Sequence, residues 1–205
     1  MNRSLPCQPL WTLLLLGLLL AGCAAGSAKL SFYSLYPSHP SIPAGVRLEQ
    51  QGYSSQTLIM PVQLAPQLQH LGIVSRPSPA TTRISPLSRW SGPLDEQFAG
   101  VIAANLKALL RSPHISIYPG PRYGRQRLMV EIRLDSFSPL RDQFNLEASW
   151  TISDVPSRRQ LKQTSSSYTI PLSQPGYEGY AAAGSATAGL LSLEIAQALQ
   201  TLGQP

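Results

Sequence analysis

The chain has 205 residues, 43% of them hydrophobic and only 13% charged, with 16 Lys+Arg against 10 Asp+Glu and two cysteines. A charged fraction near half the usual ~25%, beside ordinary apolar content, excludes a disordered polyelectrolyte and a tail-dominated nucleic-acid binder, and the length suits about one domain. Two cysteines build neither a disulfide scaffold nor a four-thiolate zinc site, and the net charge of +6 permits an acidic partner without demanding one.

The chain opens with Arg3, an uncharged run from Leu10 to Ala21, and small residues ending at Gly22-Cys23, which is the tripartite pattern of a secretory signal. As a helix that run covers about 18 Å, short of the ~30 Å hydrocarbon core, so a removed targeting segment is expected instead of a permanent span. Leu20-Ala21-Gly22-Cys23 resembles the bacterial lipobox. The resemblance implies cleavage between Gly22 and Cys23, with diacylglycerol on the Cys23 thiol and an N-acyl chain such as palmitate on its amino group. Cys7 would leave with the signal. Ala24 stands where an aspartate would favour inner-membrane retention in enterobacterial-type lipoproteins, so the resemblance implies the outer membrane, periplasmic face. The expected organisation is a removed signal over 1–22, a lipidated tether over 23–29, and a single periplasmic domain over 30–205. Six tether residues, 24–29, reach at most about 20 Å, which keeps that domain close to the membrane.

Leu30 to Tyr36 reads as a first strand, followed by a Pro/Ser-rich stretch. Thr57 to Leu64 is a second, which Pro61 makes an edge strand or a bulged one. Ile73-Val74 and Thr82 to Ile84 suggest short strands around the loop Pro77-Ser78-Pro79. Ser91 to Arg111 carries Leu94, Phe98, Val101, Ile102, Leu106, Leu109 and Leu110 at helical spacing, with Ser91 to cap it, Pro93 in the first turn, and Asp95 and Glu96 at the positive end of its dipole. After a further strand, Leu128 to Asp135 and Phe144 to Ile152 alternate apolar with polar residues, joined by a hairpin over 138–142, and the more polar 160–170 reads as a strand nearer an edge. Tyr177 to Leu202 is a helix whose first half is small and whose second half is apolar; tight packing within the domain is the expected use of the small half, ahead of an oligomer contact. The predicted class is α+β, a mostly antiparallel sheet with two helices packed on one face.

Candidates for chemistry are few. His39, His70 and His114 have no metal-ligand spacing, so no metal is expected. Ser185 lies in Gly184-Ser185-Ala186-Thr187-Ala188-Gly189, which is not a nucleophile elbow and falls inside a helix. No Gly-rich phosphate loop follows a strand; no cofactor is expected beyond the lipid on Cys23, and the expectation is a protein that is not an enzyme. Arg122, Tyr123, Arg125 and Arg127 form a basic cluster with an aromatic ring. Behind a secretion signal it would meet anionic head groups or an acidic protein surface, with a solvated turn as the plainer reading, and no nucleic acid is expected. Trp90 either packs where the helix starts or faces a partner, packing being favoured; Trp150, on the apolar side of its strand, belongs to the core.

Taken in order, Cys23, Phe32-Tyr33-Ser34-Leu35, Ile59 to Leu64 with Pro66-Gln67-Leu68, Ile73-Val74, Arg89-Trp90 with Pro93-Leu94, Leu146 to Trp150 with Asp154, and the final Ile195-Ala196-Gln197-Ala198-Leu199 resemble the ABC-type transport auxiliary lipoproteins of the Pqi/Ymb type. The family's Leu-Pro-x-Tyr-Leu-Asp/Asn-Arg turn is replaced here by Leu64-Ala65-Pro66-Gln67-Leu68-Gln69-His70, without its aromatic and basic residues. The resemblance implies a non-catalytic outer-membrane subunit of an MCE-type ABC lipid transport system. Its partners would be the periplasmic MCE protein, with the permease and ATPase, and outer-membrane lipids; a homo-oligomeric ring is one arrangement it allows. The alternative is an assembly or plug lipoprotein for an outer-membrane β-barrel of the lipopolysaccharide-export type.

Overall fold

The structure is a computed structural model and describes residues 29–38, 48, 53–120 and 125–203. Cys7, Gly22, Cys23, Ala24, His39, Arg122 and Tyr123 therefore lie outside the described residues. Among the described residues no helix is long and apolar enough to cross a membrane.

Nine strands and two helices are described: β1 (Ser31–Tyr33), β2 (Thr57–Ile59), β3 (Gln63–Leu64), β4 (Gly72–Ser78), β5 (Thr81–Trp90), α1 (Leu94–Leu109), β6 (Ile115–Ile117), β7 (Leu128–Leu140), β8 (Gln143–Asp154), β9 (Arg159–Pro171) and α2 (Gly176–Leu202). A short 3-10 turn, Pro66–Leu68, separates β3 from β4. The class is α+β as expected, but the sheet is mixed where a mostly antiparallel one was predicted. β7 pairs antiparallel with β8 along its length, and its other edge takes β2, β3 and the end of β4 in parallel. Parallel neighbours need a long crossover, and α1 with its flanking loops supplies it; alternation within a strand carries no trace of that choice.

β2 is not an edge strand. It lies between β6 and β7 with all three residues buried. Pro61 falls in the gap between β2 and β3. Ile59 faces Val130 and Gln63 faces Arg133, so the chain carries one extra residue between the two pairings, and the missing amide sits in a bulge. β7 has a bulge of its own between Leu134 and Ser136. Leu128, Val130, Ile132 and Leu134 face the core before it and Phe137 after it, so the strand runs past its expected end with its parity changed. The reversal to β8 is correspondingly narrow, with Arg141 at φ 58° in the turn.

α1 buries Leu94, Phe98, Val101, Ile102 and Leu106, with Asp95 and Glu96 in its first turn. Ser91 does not cap it. Extended Pro93 is the N-cap and makes no side-chain cap bond, while Ser91 Oγ shares a 2.7 Å hydrogen bond with Ser34 Oγ. At the other end Ser112 N–H donates to Lys107 O and Arg111 N–H to Ala108 O, a Schellman pairing that puts Arg111 at φ 49° where glycine is usual.

The small half of α2 packs inside the domain. A Cβ on Gly184 would stand 2.6 Å from Phe137 Cζ and 3.3 Å from Leu35 Cδ2. The reason is the segment following β1, which leaves the sheet and lies along both helices. Leu35 N–H donates to Gln97 Oε1, Tyr36 N–H to Ser185 Oγ, and Ser38 N–H to Asn105 Oδ1, while Asn105 Nδ2 donates to Ser192 Oγ. Side chains of the helices thus satisfy backbone groups that no strand partner reaches. Phe137 sits at the centre of the core, edge-on to Phe98 and Phe144 at centroid distances of 5.6 and 4.9 Å.

Candidate functional site

A groove of about 590 Å³ opens between the segment that joins β3 to β4 and the start of α1. One wall is Val62, Leu64, Leu68, His70 and Leu71, the other Pro93, Leu94 and Asp95, and Arg133 of β7 completes the lining. The first wall is the turn at which the chain departs from the pattern of the family it resembles. Its shape follows from local bonds: Ala65 N–H donates to Leu134 O, Leu68 N–H to Ala65 O, and Trp90 N–H to Leu71 O. These hold Leu68 inward at 3% exposure and leave Leu71 outward at 47%.

The groove carries charges of both signs. Arg133 Nε lies 2.7 Å from Asp135 Oδ1, and the positive end of α1 has Asp95 and Glu96 beside it. The rest of the lining is an apolar strip with Gln63 beside it, while the Gln69 amide donates to Leu64 O. The groove's lining holds no hydroxyl or thiol, and its ionisable groups are His70, Asp95 and Arg133.

Trp90 is 3% exposed and lies 6.1 Å from the Phe137 ring, so it packs where α1 begins and is corrected as a partner contact. Arg125 and Arg127 are exposed. Arg127 Nε is 3.0 Å from Asp154 Oδ1, across the open end of the β7–β8 pair, opposite the turn that joins the two strands. Hydrogen bonds from the Ser157 hydroxyl and amide, then Arg127, hold the Asp154 carboxyl below the usual carboxylate range. The structure thus separates Trp90 from the two described arginines instead of bringing them to one site. His114 Nδ1 is 2.7 Å from Gln56 Nε2, His70 lines the groove, and no group of three or more metal-ligating side chains occurs among the described residues. Trp150 is 1% exposed, as expected.

One polar cluster escaped the sequence reading. Glu194 of α2 accepts hydrogen bonds from Ser166 Oγ at 2.6 Å and Tyr168 Oη at 2.5 Å, and Ser166 accepts from Trp150 Nε1 at 3.0 Å. Burial first, then the hydrogen bond to Glu194, pushes the Tyr168 phenol well above its ordinary value. The cluster ties β9 to α2. Its signal in the sequence is weak: Ser166 and Tyr168 recur at period two on the inward side of a polar strand, and a glutamate stands in an otherwise apolar half-helix.

Residues 33–196 match the family described as ABC-type transport auxiliary lipoprotein component. No curated protein matches the sequence. Among solved structures, an uncharacterized protein superposes with a TM-score of 0.67 at 17% identity, over 84% of this chain and 99% of its own. A Xanthomonas campestris protein of the DUF330 family does so with a TM-score of 0.67 at 14% identity, over 84% and 96% respectively. At those identities the likeness concerns the fold alone, and the family match carries the assignment: the chain belongs to the ABC-type transport auxiliary lipoprotein family.

Proposed function

We propose that the chain, lipidated on Cys23 and held at the periplasmic face of the outer membrane, is a non-catalytic subunit of an MCE-type ABC lipid transport system. In this reading it docks the distal end of the periplasmic lipid tunnel at the outer membrane, with the MCE protein as its direct partner and the permease and ATPase beyond. The observation that carries the reading is the family match over 33–196, which takes in nearly all of the chain after a lipobox-like cysteine.

The groove supports it in chemical terms. Its apolar strip, with the Gln63 amide beside it, suits an extended or helical peptide from a partner. The test is co-purification of the lipidated full chain with an MCE protein of the same organism. Stoichiometric capture that is lost in Leu71→Glu, with folding unchanged, is the expected result. Absence of capture or crosslinking for the wild-type chain would overturn the reading.

A further inference from the structure

The sheet carries an apolar surface that neither helix covers. By register Phe32 of β1, Arg89 of β5 and Gly72 of β4 stand in one row and share one face. Tyr33 and Trp90, one residue on, turn inward, where Trp90 is buried and Tyr33 packs against the core. Phe32 therefore points away from the helices and is 60% exposed. Leu30 and Leu87 precede that row on their strands, each 39% exposed, and Ile84, 44% exposed, lies over Gly72 so closely that a Cβ there would meet its Cγ2 at 2.7 Å.

The segments that build this face carry charge of one sign, although Arg76, at its β7 border, lines a pocket with Asp135 and Glu147. Residues 29–38 and 71–92, which supply β1, β4 and β5, contain Lys29, Arg76, Arg83 and Arg89 and no Asp or Glu. Arg89 is in the Phe32 row, Arg76 follows Val74 on the same face of β4, Lys29 adjoins Leu30, and Arg83 lies on the reverse of the hairpin near its tip. Arg76 and Arg89 donate to the carbonyls of Pro79 and Pro86, and neither forms an ion pair among the described residues.

We infer that this face, centred on Leu30, Phe32, Ile84 and Leu87, rests on an anionic lipid leaflet. The inference relies on the lipidation of Cys23 proposed above. The tether of residues 24–29 reaches at most about 20 Å, whereas a domain of this size measures roughly 40 Å across, so the surface next to β1 is held at the bilayer and the far side is not. Exposed aliphatic and aromatic groups ringed by arginine and lysine match the boundary between acyl chains and anionic head groups. The anchor then fixes position and the face fixes orientation, which turns the groove in a defined direction relative to the membrane.

The test uses the lipidated full chain in vesicles of phosphatidylethanolamine with a minority of phosphatidylglycerol. An environment-sensitive fluorophore is placed at Phe32→Cys, at Leu30→Cys as a second position on the face, and at Thr151→Cys on the outer side of β8 as a reference. The expected result is a blue-shifted emission at 30 and 32, with quenching by spin-labelled lipid severalfold greater than at 151. Both should weaken when phosphatidylglycerol is replaced by phosphatidylcholine. Aqueous spectra at 30 and 32 on an acylated chain would overturn the inference alone. Absence of an acyl chain on Cys23 by intact mass would overturn the lipidation it relies on. A concentration-dependent blue shift without vesicles would assign the face to a second copy of the chain and likewise overturn the inference.

Discussion

The β7–β8–β9 meander and the β1–β5–β4 wing belong to one sheet and meet water in opposite ways. In the meander, Phe144, Leu146, Ala148, Trp150 and Ile152 are all within 2% of full burial. The reverse side carries Glu131, Arg133, Glu147, Ser149 and Thr151, which water solvates without cost. In the wing, Trp90 and Ile73 are buried while Phe32, Leu30, Ile84 and Leu87 remain exposed on the other side. The difference separates two demands on a sheet: the meander's pattern follows from folding alone, whereas the wing's outward apolar groups add little to the core.

The sharpest way to break this comparison is to remove a large side chain from each region. Phe144→Ala deletes a ring that is 1% exposed and edge-on to Phe137, and is expected to cost about 3–5 kcal/mol in urea unfolding. Gly184→Val tests the covering helix. Its side chain would enter the space held by Phe137 and Leu35, and a cost of about 1–3 kcal/mol is expected, because Phe137 is wedged among Trp90, Phe98 and Phe144 and has nowhere to move.

The same contrast explains how much could be read from the residues alone. Both helices and all three meander strands are legible, since amphipathic periodicity over ten or more residues is set by burial on one side only. The position of β2 was not. Three buried residues followed by a proline look like an edge, and only the parallel pairing with β7 and β6 shows that Pro61 lies in a bulge beyond the strand. Ser91 was legible as a cap by type, but extended Pro93 moved the start of α1 and left Ser91 to bond Ser34. The small residues of α2 predict a packing surface, and 30–36 predicts a single strand. Neither local pattern could reveal that residues 35–38 leave the sheet to lie along that surface. Of the candidate site, the turn 64–70 stands out in the sequence by its departure from the family pattern; the groove it makes with Pro93 and Asp95 depends on contacts between distant segments.

A smaller effect is expected at the junction of meander and helix. Tyr168→Phe removes one hydrogen bond to Glu194 while leaving that of Ser166, and is expected to cost about 1–2 kcal/mol near neutral pH. The phenol's folded value is raised, by burial first and Glu194 second, so its contribution is fully present below the ordinary value of 10.0 and is lost as pH rises beyond it. There the unfolded chain ionises at Tyr168 while the folded chain holds the proton. Stability of the wild type should therefore fall more steeply above that pH than stability of the variant, in parallel chemical-denaturation series. Equal slopes would mean that the buried phenol is no more resistant to ionisation than an exposed one.

The smallest expected effect on folding is at Phe32, and its size is what distinguishes the wing from the meander. Phe32→Ser removes an aromatic ring of the same volume as Phe144, yet the ring is 60% exposed and is flanked on its own face by Arg89 and the backbone of Gly72. If its role were to stabilise the fold, its loss would approach the kilocalories expected for Phe144. If its surroundings in the free domain are mostly water, the change should stay within about 0.5 kcal/mol, because little apolar area is returned to solvent on unfolding. Urea unfolding of Phe32→Ser beside Phe144→Ala decides between these. A near-zero value would leave solvent as the surroundings of Phe32 in the isolated domain, so that any reason for an aromatic there has to lie in what the domain touches.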